Sequence, residues 1–462
     1  MTAVLRRHIE PGSRLTVGLS GGLDSVALLH LLSKLAESLQ FKLAAHHINH
    51  HLSANADAWQ SFCAELCASW QIPFAATHVS VSRENKGVEA AARRERYRAF
   101  GQPQADFVVL AHHQDDQAET LLLQLFRGAG VRGLSGMPEV RDQESDVRNQ
   151  ESGIRSQVSG VRCQEGGAAL ARIFGSPALL RPLLQVPRPS LRQYAMRHGL
   201  RWIDDESNDD VSYARNFLRH RILPTLAEHF PAASANLARA AGHYAEARQL
   251  LEDLAELDAR GAIDGDRLEV SALASLSEPR AKNLLRFFIH GRGLPMPDQD
   301  RLREMLRQLL SARDDAGVCI VHEGHELRRF RAAAYLVKPF VSGTAEISLS
   351  WQGETAIEFS QWHGSLRFEK VRGAGLAARV LQNNQLTVRL RRGGERLRLH
   401  AAGRSRTLKN LLQESAMPPW QRNRLPLLLL NDQLICAPGI GVDAACQCPA
   451  VEEGVHIYWQ PQ

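Results

Sequence analysis

Leu15-Thr16-Val17-Gly18-Leu19-Ser20-Gly21-Gly22-Leu23-Asp24-Ser25-Val26-Ala27-Leu28-Leu29 decides the fold of the first part of this chain. The apolar start reads as a buried strand, residues 20–25 as a tight loop, and the apolar run from Val26 to Leu32 as a helix. Two glycines let the backbone pass close to an anion, because neither carries a Cβ. The helix that follows offers unpaired N–H groups and the positive end of its dipole to a phosphate. The hydroxyls of Ser20 and Ser25 add donors. No lysine closes the loop, so it is not the nucleotide loop that ends in Gly-Lys-[Ser/Thr]. A plain Gly/Ser turn between a core strand and a core helix is the competing reading. The order strand, loop, helix favours the phosphate site.

Working outward, strands and helices alternate. Residues 41–46, 73–79 and 106–111 read as strands. Residues 57–70 (capped from Ser53 or Asn55), 88–100 and 114–126 read as helices. Such alternation builds a doubly wound parallel sheet, α/β in class, with ligands at the carboxyl ends of its strands. The loop at 20–25, His46-His47-Ile48-Asn49-His50 and His112-His113 all fall at such ends, which points to one site.

Residues 141–167 repeat with a period of seven. Only one apolar position recurs among Gly, Ser and Gln, so a flexible surface insertion is expected rather than a coiled coil. The nucleotide-binding domain is expected over 1–210, and a helical middle domain over 211–335. A linker with short strands follows over 336–384, then a small basic α+β domain over 385–462. In that last domain, 387–400 reads as a hairpin around Arg392-Gly393-Gly394-Glu395, and 427–436 as a second one around Asn431-Asp432.

The chain has 462 residues, 44% hydrophobic and 23% charged, with material for about three domains. Neither the start nor any later stretch reads as a secretion signal or a membrane span. Seven scattered cysteines do not make a disulfide framework, and a cytoplasmic location is expected. Cys63 and Cys67 lie one helical turn apart, a spacing that fits core packing better than metal binding. The net charge of +6 is concentrated. Between Leu386 and Asn410, eight basic residues (Arg389, Arg391, Arg392, Arg396, Arg398, Arg404, Arg406 and Lys409) face the single acid Glu395, a local balance of +7. Such a patch points to a polyanion.

The second dense cluster is His112-His113-Gln114-Asp115-Asp116-Gln117-Ala118-Glu119-Thr120. On a helix from Gln114, Asp116 shares a face with Thr120, and Asp115 with Glu119. One carboxylate can hold Mg²⁺, which prefers oxygen ligands, and another can bind or deprotonate an amine. Acids in a first turn also simply complement the helix dipole. Glu89 and Arg93 sit one turn apart on the next helix upstream. Residues 213–221, with Arg215, Asn216 and Arg219, offer guanidinium contacts to phosphates and bases.

Taken together, these motifs resemble one family closely. Ser-Gly-Gly-x-Asp-Ser is similar to the pyrophosphate loop of ATP pyrophosphatases, which split ATP into AMP and pyrophosphate. The histidine run at 46–50, the helix at 89–97, the cluster at 112–120, residues 127–134, Arg181-Pro182-Leu183-Leu184, Asp205-Glu206-Ser207-Asn208 and residues 215–219 narrow the resemblance to the tRNA(Ile)-lysidine synthases. It covers nearly the whole chain, the heptad insertion excepted. The resemblance implies that ATP adenylates the wobble cytidine of a tRNA(Ile) with a CAU anticodon, releasing pyrophosphate. L-lysine then displaces AMP to give lysidine. It places Asp24, Arg93, Asp116 and Glu119 among the catalytic residues. Ser20, Gly21, Gly22, Leu23, Asp24, Ser25 and His46 would bind ATP, and Asp24 and Asp115 would hold Mg²⁺. His113, Asp115, Arg215, Asn216, Arg219, Arg389, Arg391, Arg396 and Arg398 would bind lysine or tRNA. No membrane partner is expected, and the oligomeric state stays open, a homodimer being one option. The alternatives are another enzyme of the superfamily, such as a tRNA thiolase, which would need a cysteine pair that no Cys-x-x-Cys here supplies, and a non-catalytic tRNA-binding protein.

Overall fold

The computed structural model describes residues 1–51, 53, 55–79, 99–100, 104–141, 177–313, 317–340, 345–415 and 417–461. Arg93, the expected helix over 88–100 apart from its last two residues, and the heptad insertion beyond Arg141 lie outside them. The described residues form two compact units, 1–260 with 290–294, and 261–289 with 295–462.

The first unit is built on six strands: β1 (Arg14–Gly18), β2 (Lys42–Asn49), β3 (Phe74–His78), β4 (Phe107–Val109), β5 (Val140–Arg141) and β6 (Ala178–Leu180). Their order is β3-β2-β1-β4-β6-β5. Val17 pairs in parallel with Ala45 on one side and Val109 on the other. Only the edge strand β5 runs antiparallel. Leu15, Val17, Phe107 and Val109 are buried, as a strand covered on both faces requires. The chain winds outward from β1 through β3 and then crosses back to β4. The carboxyl ends of β1 and β4 therefore flank the point where the winding reverses, where α/β sheets bind ligands.

Helices α1 (Thr2–His8), α2 (Leu23–Leu35), α3 (Ala56–Ser69), α4 (Gln114–Phe126), α5 (Val131–Leu134) and α6 (Arg188–Arg197) follow in chain order, then α7 (Ala214–Phe217), α8 (Leu223–His229) and α9 (Ala233–Ala259). Val26, Leu28, Leu29 and Leu32 of α2 pack with Cys63, Leu66 and Cys67 of α3 in one core. Burial pushes the Cys63 thiol up to about 12, and the Cys67 thiol up to about 11. These cysteines are inert packing residues. Asn55 occupies the cap position of α3, although its side chain makes no capping bond. The alanines of α9 allow close approach to α4 and α5, where Ala241 packs against Leu121 and Leu134.

In the second unit, a sheet of residues 263–264, 267–269, 333–337, 325–330 and 319–322 accompanies helices at 270–275, 278–290 and 299–311. Among the described residues three further antiparallel sheets, of five, four and two strands, carry the rest, the two larger around a core that includes Trp351, Trp362, Leu366, Leu386 and Val388. The hairpin expected at 427–436 forms, with Pro426–Leu430 pairing Gln433–Ala437. Asn431 and Asp432 take φ of 47° and 63°, the left-handed pair that a tight two-residue turn needs.

The hairpin expected over 387–400 does not form. Leu386–Leu390 lies between Glu346–Leu349 and Pro426–Leu430, whereas Arg396–Leu397 pairs with Arg406–Thr407. The cause is local. Gly393 and Gly394 take φ of +97° and +83°. The Glu395 carboxylate accepts from the backbone N–H of Arg392 at 2.7 Å and of Gly393 at 3.0 Å. A side chain takes the place of the returning strand, so the chain leaves the sheet.

Candidate active site

The loop after β1 is tied together by its own serines. Ser20 Oγ lies 3.1 Å from Ser25 Oγ, and the Ser25 hydroxyl donates to the Gly22 carbonyl at 2.9 Å. Gly22 is the extended cap residue of α2, and no side chain caps that helix. Its first N–H groups are thereby left to a ligand. Gly21 takes φ of +87°, and a Cβ there would stand 2.9 Å from Ile203 Cδ1 and 3.1 Å from Cys63 Sγ. The Ile203 N–H in turn donates to the Gly21 carbonyl at 2.9 Å. Ile203 thus braces the loop, a role that no motif in the sequence announces.

Asp24, in the first turn of α2, places Oδ2 3.5 Å from His113 Nε2 and 3.7 Å from Arg188 Nε. Its Oδ1 is buried and has no hydrogen-bond partner. Arg188 also donates its backbone N–H to Asp115 at 3.2 Å, and it escaped the sequence reading because a Pro-Arg-Pro run suggests only a helix start. At the neighbouring strand end, His46 is buried with Nε2 2.9 Å from Thr77 Oγ1, and His47 Nδ1 lies 2.9 Å from the Leu19 carbonyl. Burial, then the charge of the neighbouring His47, holds His46 below its ordinary pKa, which keeps it neutral.

His113 caps α4 through a reciprocal arrangement. The Asp116 carboxylate accepts the His113 N–H at 2.9 Å, while His113 Nδ1 faces the Asp116 N–H at 3.4 Å. Burial opposes a charge on the His113 ring, but the hydrogen bond to Asp24, with Asp116 and Asp115 nearby, outweighs it and raises the pKa. His113 joins the loop after β1 to the helix after β4.

Asp116 and Glu119 point into the unit, where two arginines meet them. Arg215 donates from Nε to Glu119 at 2.6 Å and from Nη2 to Asp116 at 3.0 Å. Arg219 donates from Nε to Glu119 at 2.7 Å and from Nη2 to Asp116 at 3.1 Å. Glu119 is 0% exposed. Burial works against the Asp116 charge, but His113 and Arg215 prevail and hold its carboxyl at about 2. The sequence brought the acids and the arginines forward separately, for an amine and for phosphates. Instead, the structure turns them toward each other, because two buried carboxylates are stable only when paired. Asn216 turns aside, its side-chain amide donating to the Asp210 carbonyl at 3.0 Å. Arg181 is structural: 1% exposed, it donates from Nη1 to the Pro138 carbonyl at 2.8 Å.

The basic C-terminal residues are less free than the sequence suggested. Arg389 is largely buried and donates to Glu395 at 3.0 Å, and Arg391 Nε lies 4.0 Å from the same carboxylate. Arg396 donates to Ser405 Oγ and to the Ser405 carbonyl. The backbone N–H of Arg398 donates to Asp443 at 3.1 Å.

Known proteins share this plan. Residues 2–226 match the family model of the PP-loop domain, 268–335 that of the TilS substrate binding domain, and 386–459 that of the TilS substrate C-terminal domain. The sheet, the phosphate loop and the match to that domain define a PP-loop protein of the ATP pyrophosphatase class. A tRNA(Ile)-lysidine synthase of Nitrosomonas europaea is 40% identical over 458 residues, covering 99% of this chain and 94% of the relative. One from Ralstonia nicotianae is 38% identical, covering 96% of this chain and 92% of the relative, and one from Aromatoleum aromaticum is 39% identical, covering 98% of each. The chain belongs to the tRNA(Ile)-lysidine synthase family. Among the described residues, no helix is long and apolar enough to cross a membrane.

Proposed function

We propose a division of labour for the family's reaction on this chain. The protein is an ATP-dependent ligase that forms lysidine on tRNA(Ile). In the proposed sequence, the C2 oxygen of the wobble cytidine attacks the α-phosphorus of ATP and pyrophosphate leaves. The lysine amine then attacks C2 and loses a proton, and AMP departs with the former carbonyl oxygen.

Ser20, Ser25 and the free N–H groups at the start of α2 bind the departing pyrophosphate, with Arg188 beside them. The unpartnered Oδ1 of Asp24 suits a hard cation, with Asp115 as the second oxygen donor. Among the described residues no trio of His, Cys, Asp or Glu could hold a metal, so the remaining ligands of a Mg²⁺ would be phosphate oxygens and water. Bound there, Mg²⁺ would offset phosphate charge as pyrophosphate forms. The Asp116–Glu119–Arg215–Arg219 tetrad serves the amino acid. L-lysine brings both a carboxylate and ammonium groups, and a balanced set of two acids and two guanidiniums can meet both. A cytoplasmic setting, where tRNA, ATP and lysine are all at hand, goes with this role.

The observation that carries the proposal is the junction made by His113, which joins Asp24 of the phosphate loop to the tetrad's Asp116. Labelled lysine, ATP and a CAU-bearing tRNA(Ile) test it. Label should enter the tRNA only with all three present, and equal incorporation without ATP would refute it. Dependence on a sulfur donor instead of lysine would favour the thiolase reading.

A further inference from the structure

The second unit holds a second concentration of cations, Arg328, Arg331, Arg422 and Arg424, of which only Arg328 has an ion pair among the described residues. Arg331 and Arg422 lie over the ring of Phe330, with guanidinium carbons 5.4 and 5.9 Å from its centroid. Arg328 lies 5.6 Å over Trp420, and Arg424 4.9 Å over Phe340. The rings support each other, with Trp420 meeting Phe330 at 6.1 Å and Tyr335 at 5.3 Å, both edge to face. Arg328 has a carboxylate partner, Glu326 at 2.8 Å. Arg331, Arg422 and Arg424 have no ion pair with any carboxylate among the described residues. Arg422 donates to the Met417 carbonyl at 2.6 Å and Arg424 to the Lys338 carbonyl, while Arg424 Nε is buried without a partner.

Cation–π contacts could simply join the strand at 325–330 to the short helix at 419–422. That role needs one arginine on a ring. Phe330 carries two, Arg331 and Arg422, and they repel one another. Burial, then the charges of Arg391 and Arg331, lowers the pKa of Arg422. Burial lowers that of Arg424, Glu326 opposes the change, and Arg328 adds to it. Crowded guanidiniums resting on aromatic rings give up part of their rotamer freedom before any ligand arrives, and their N–H edges suit phosphate oxygens.

We infer that Arg331 and Arg422, set on Phe330, and Arg424, set on Phe340, with Trp420 bracing Phe330, form a preorganised site for the phosphodiester backbone of the tRNA. The inference rests on the tRNA reading above and assigns part of the RNA-binding surface to residues outside the 386–410 arginine run. The aromatic rings position the arginines and do not read bases.

The test uses the full chain carrying Arg331→Gln with Arg422→Gln, and separately the exposed Arg331→Gln alone. Binding of tRNA is followed by fluorescence anisotropy across a salt series, with thermal unfolding as the folding control. Removing one phosphate-binding cation should lower the slope of log affinity against log salt by about 0.7–0.9. The double variant should therefore fall by about 1.4–1.8 in slope and roughly tenfold in affinity at low salt, and the single variant by about half that slope. Trp420→Leu, which keeps every charge, should weaken binding by removing the ring that braces Phe330 under Arg331 and Arg422. Unchanged affinity and slope in the folded single and double variants would overturn the site and leave the cluster as internal packing. Lysidine formation by the unaltered protein is measured in parallel. Its absence would refute the tRNA(Ile) reaction, whereas the salt series judges the arginine site by itself.

Discussion

Arg219 Nε donates to the fully buried carboxylate of Glu119 at 2.7 Å, across 100 residues of chain. Removing Glu119 leaves Arg215 and Arg219 to share Asp116, so that one positive charge is stranded, at a cost of about 3–5 kcal/mol. Glu119→Gln should therefore destabilise the first unit by that order, as read from denaturant unfolding. Adding Arg219→Gln should cost less than the sum of the two single changes, because the stranded charge is then gone. Additive costs would mean that the two groups do not interact in solution.

Asp116→Asn keeps the shape of the tetrad and removes one negative charge. If the acids serve lysine, pyrophosphate release in a single turnover should persist while transfer of labelled lysine falls by roughly 100-fold, the scale of one positioned acid or base. Loss of pyrophosphate release with intact lysine binding would move Asp116 to the ATP step.

Gly21→Ala tests the phosphate loop without touching a charge. A left-handed φ costs a non-glycine residue roughly 1–2 kcal/mol, and the new Cβ would press on Ile203 and Cys63. The KM for ATP should rise about tenfold or more, with tRNA affinity unchanged. A normal KM would show that the loop can shift and that Ile203 does not brace it.

Much of the first unit was legible because strands buried on both faces read as continuous apolar runs, and the turn between Asn431 and Asp432 because two residues with a strong preference settled it. The pairing of Asp116 and Glu119 with Arg215 and Arg219 was hidden, since spacing on one helix says nothing about a partner a hundred residues away. The hairpin misreading had another source. Arg392-Gly393-Gly394-Glu395 has turn composition, but its turn is closed by a carboxylate on backbone N–H groups and not by a second strand.

The heptad insertion can be tested from its anchor points. Arg141 pairs with Leu179 across the antiparallel edge of the sheet, so the chain leaves and returns at neighbouring positions. Deleting 142–167 leaves residues 168–177 to span that short gap, and at about 0.6 kcal/mol per halving this nearly fourfold shortening changes the closure entropy by only about 1 kcal/mol. Unfolding midpoint and lysidine formation should stay near those of the full chain, and loss of either would give the repeats a role.

Glu395 governs the arginine run. Burial opposes its charge, but the N–H of Arg392 and the guanidinium of Arg389 hold its carboxyl below the ordinary value of 4.5. A carboxylate lowered on folding stabilises the protein at pH above its unfolded pKa, and that contribution is lost as pH falls through the lower folded value. Thermal unfolding followed from about pH 6 down to pH 3 should therefore decline less steeply in Glu395→Gln than in the unaltered chain. Arg389→Gln should lower stability more than tRNA affinity, since that side chain is largely buried on Glu395. Arg392→Gln, at a half-exposed side chain, should instead reduce the salt slope of tRNA binding by about 0.7–0.9. The opposite order, with Arg389 dominating RNA affinity, would show that the loop opens to release its buried arginine when RNA binds.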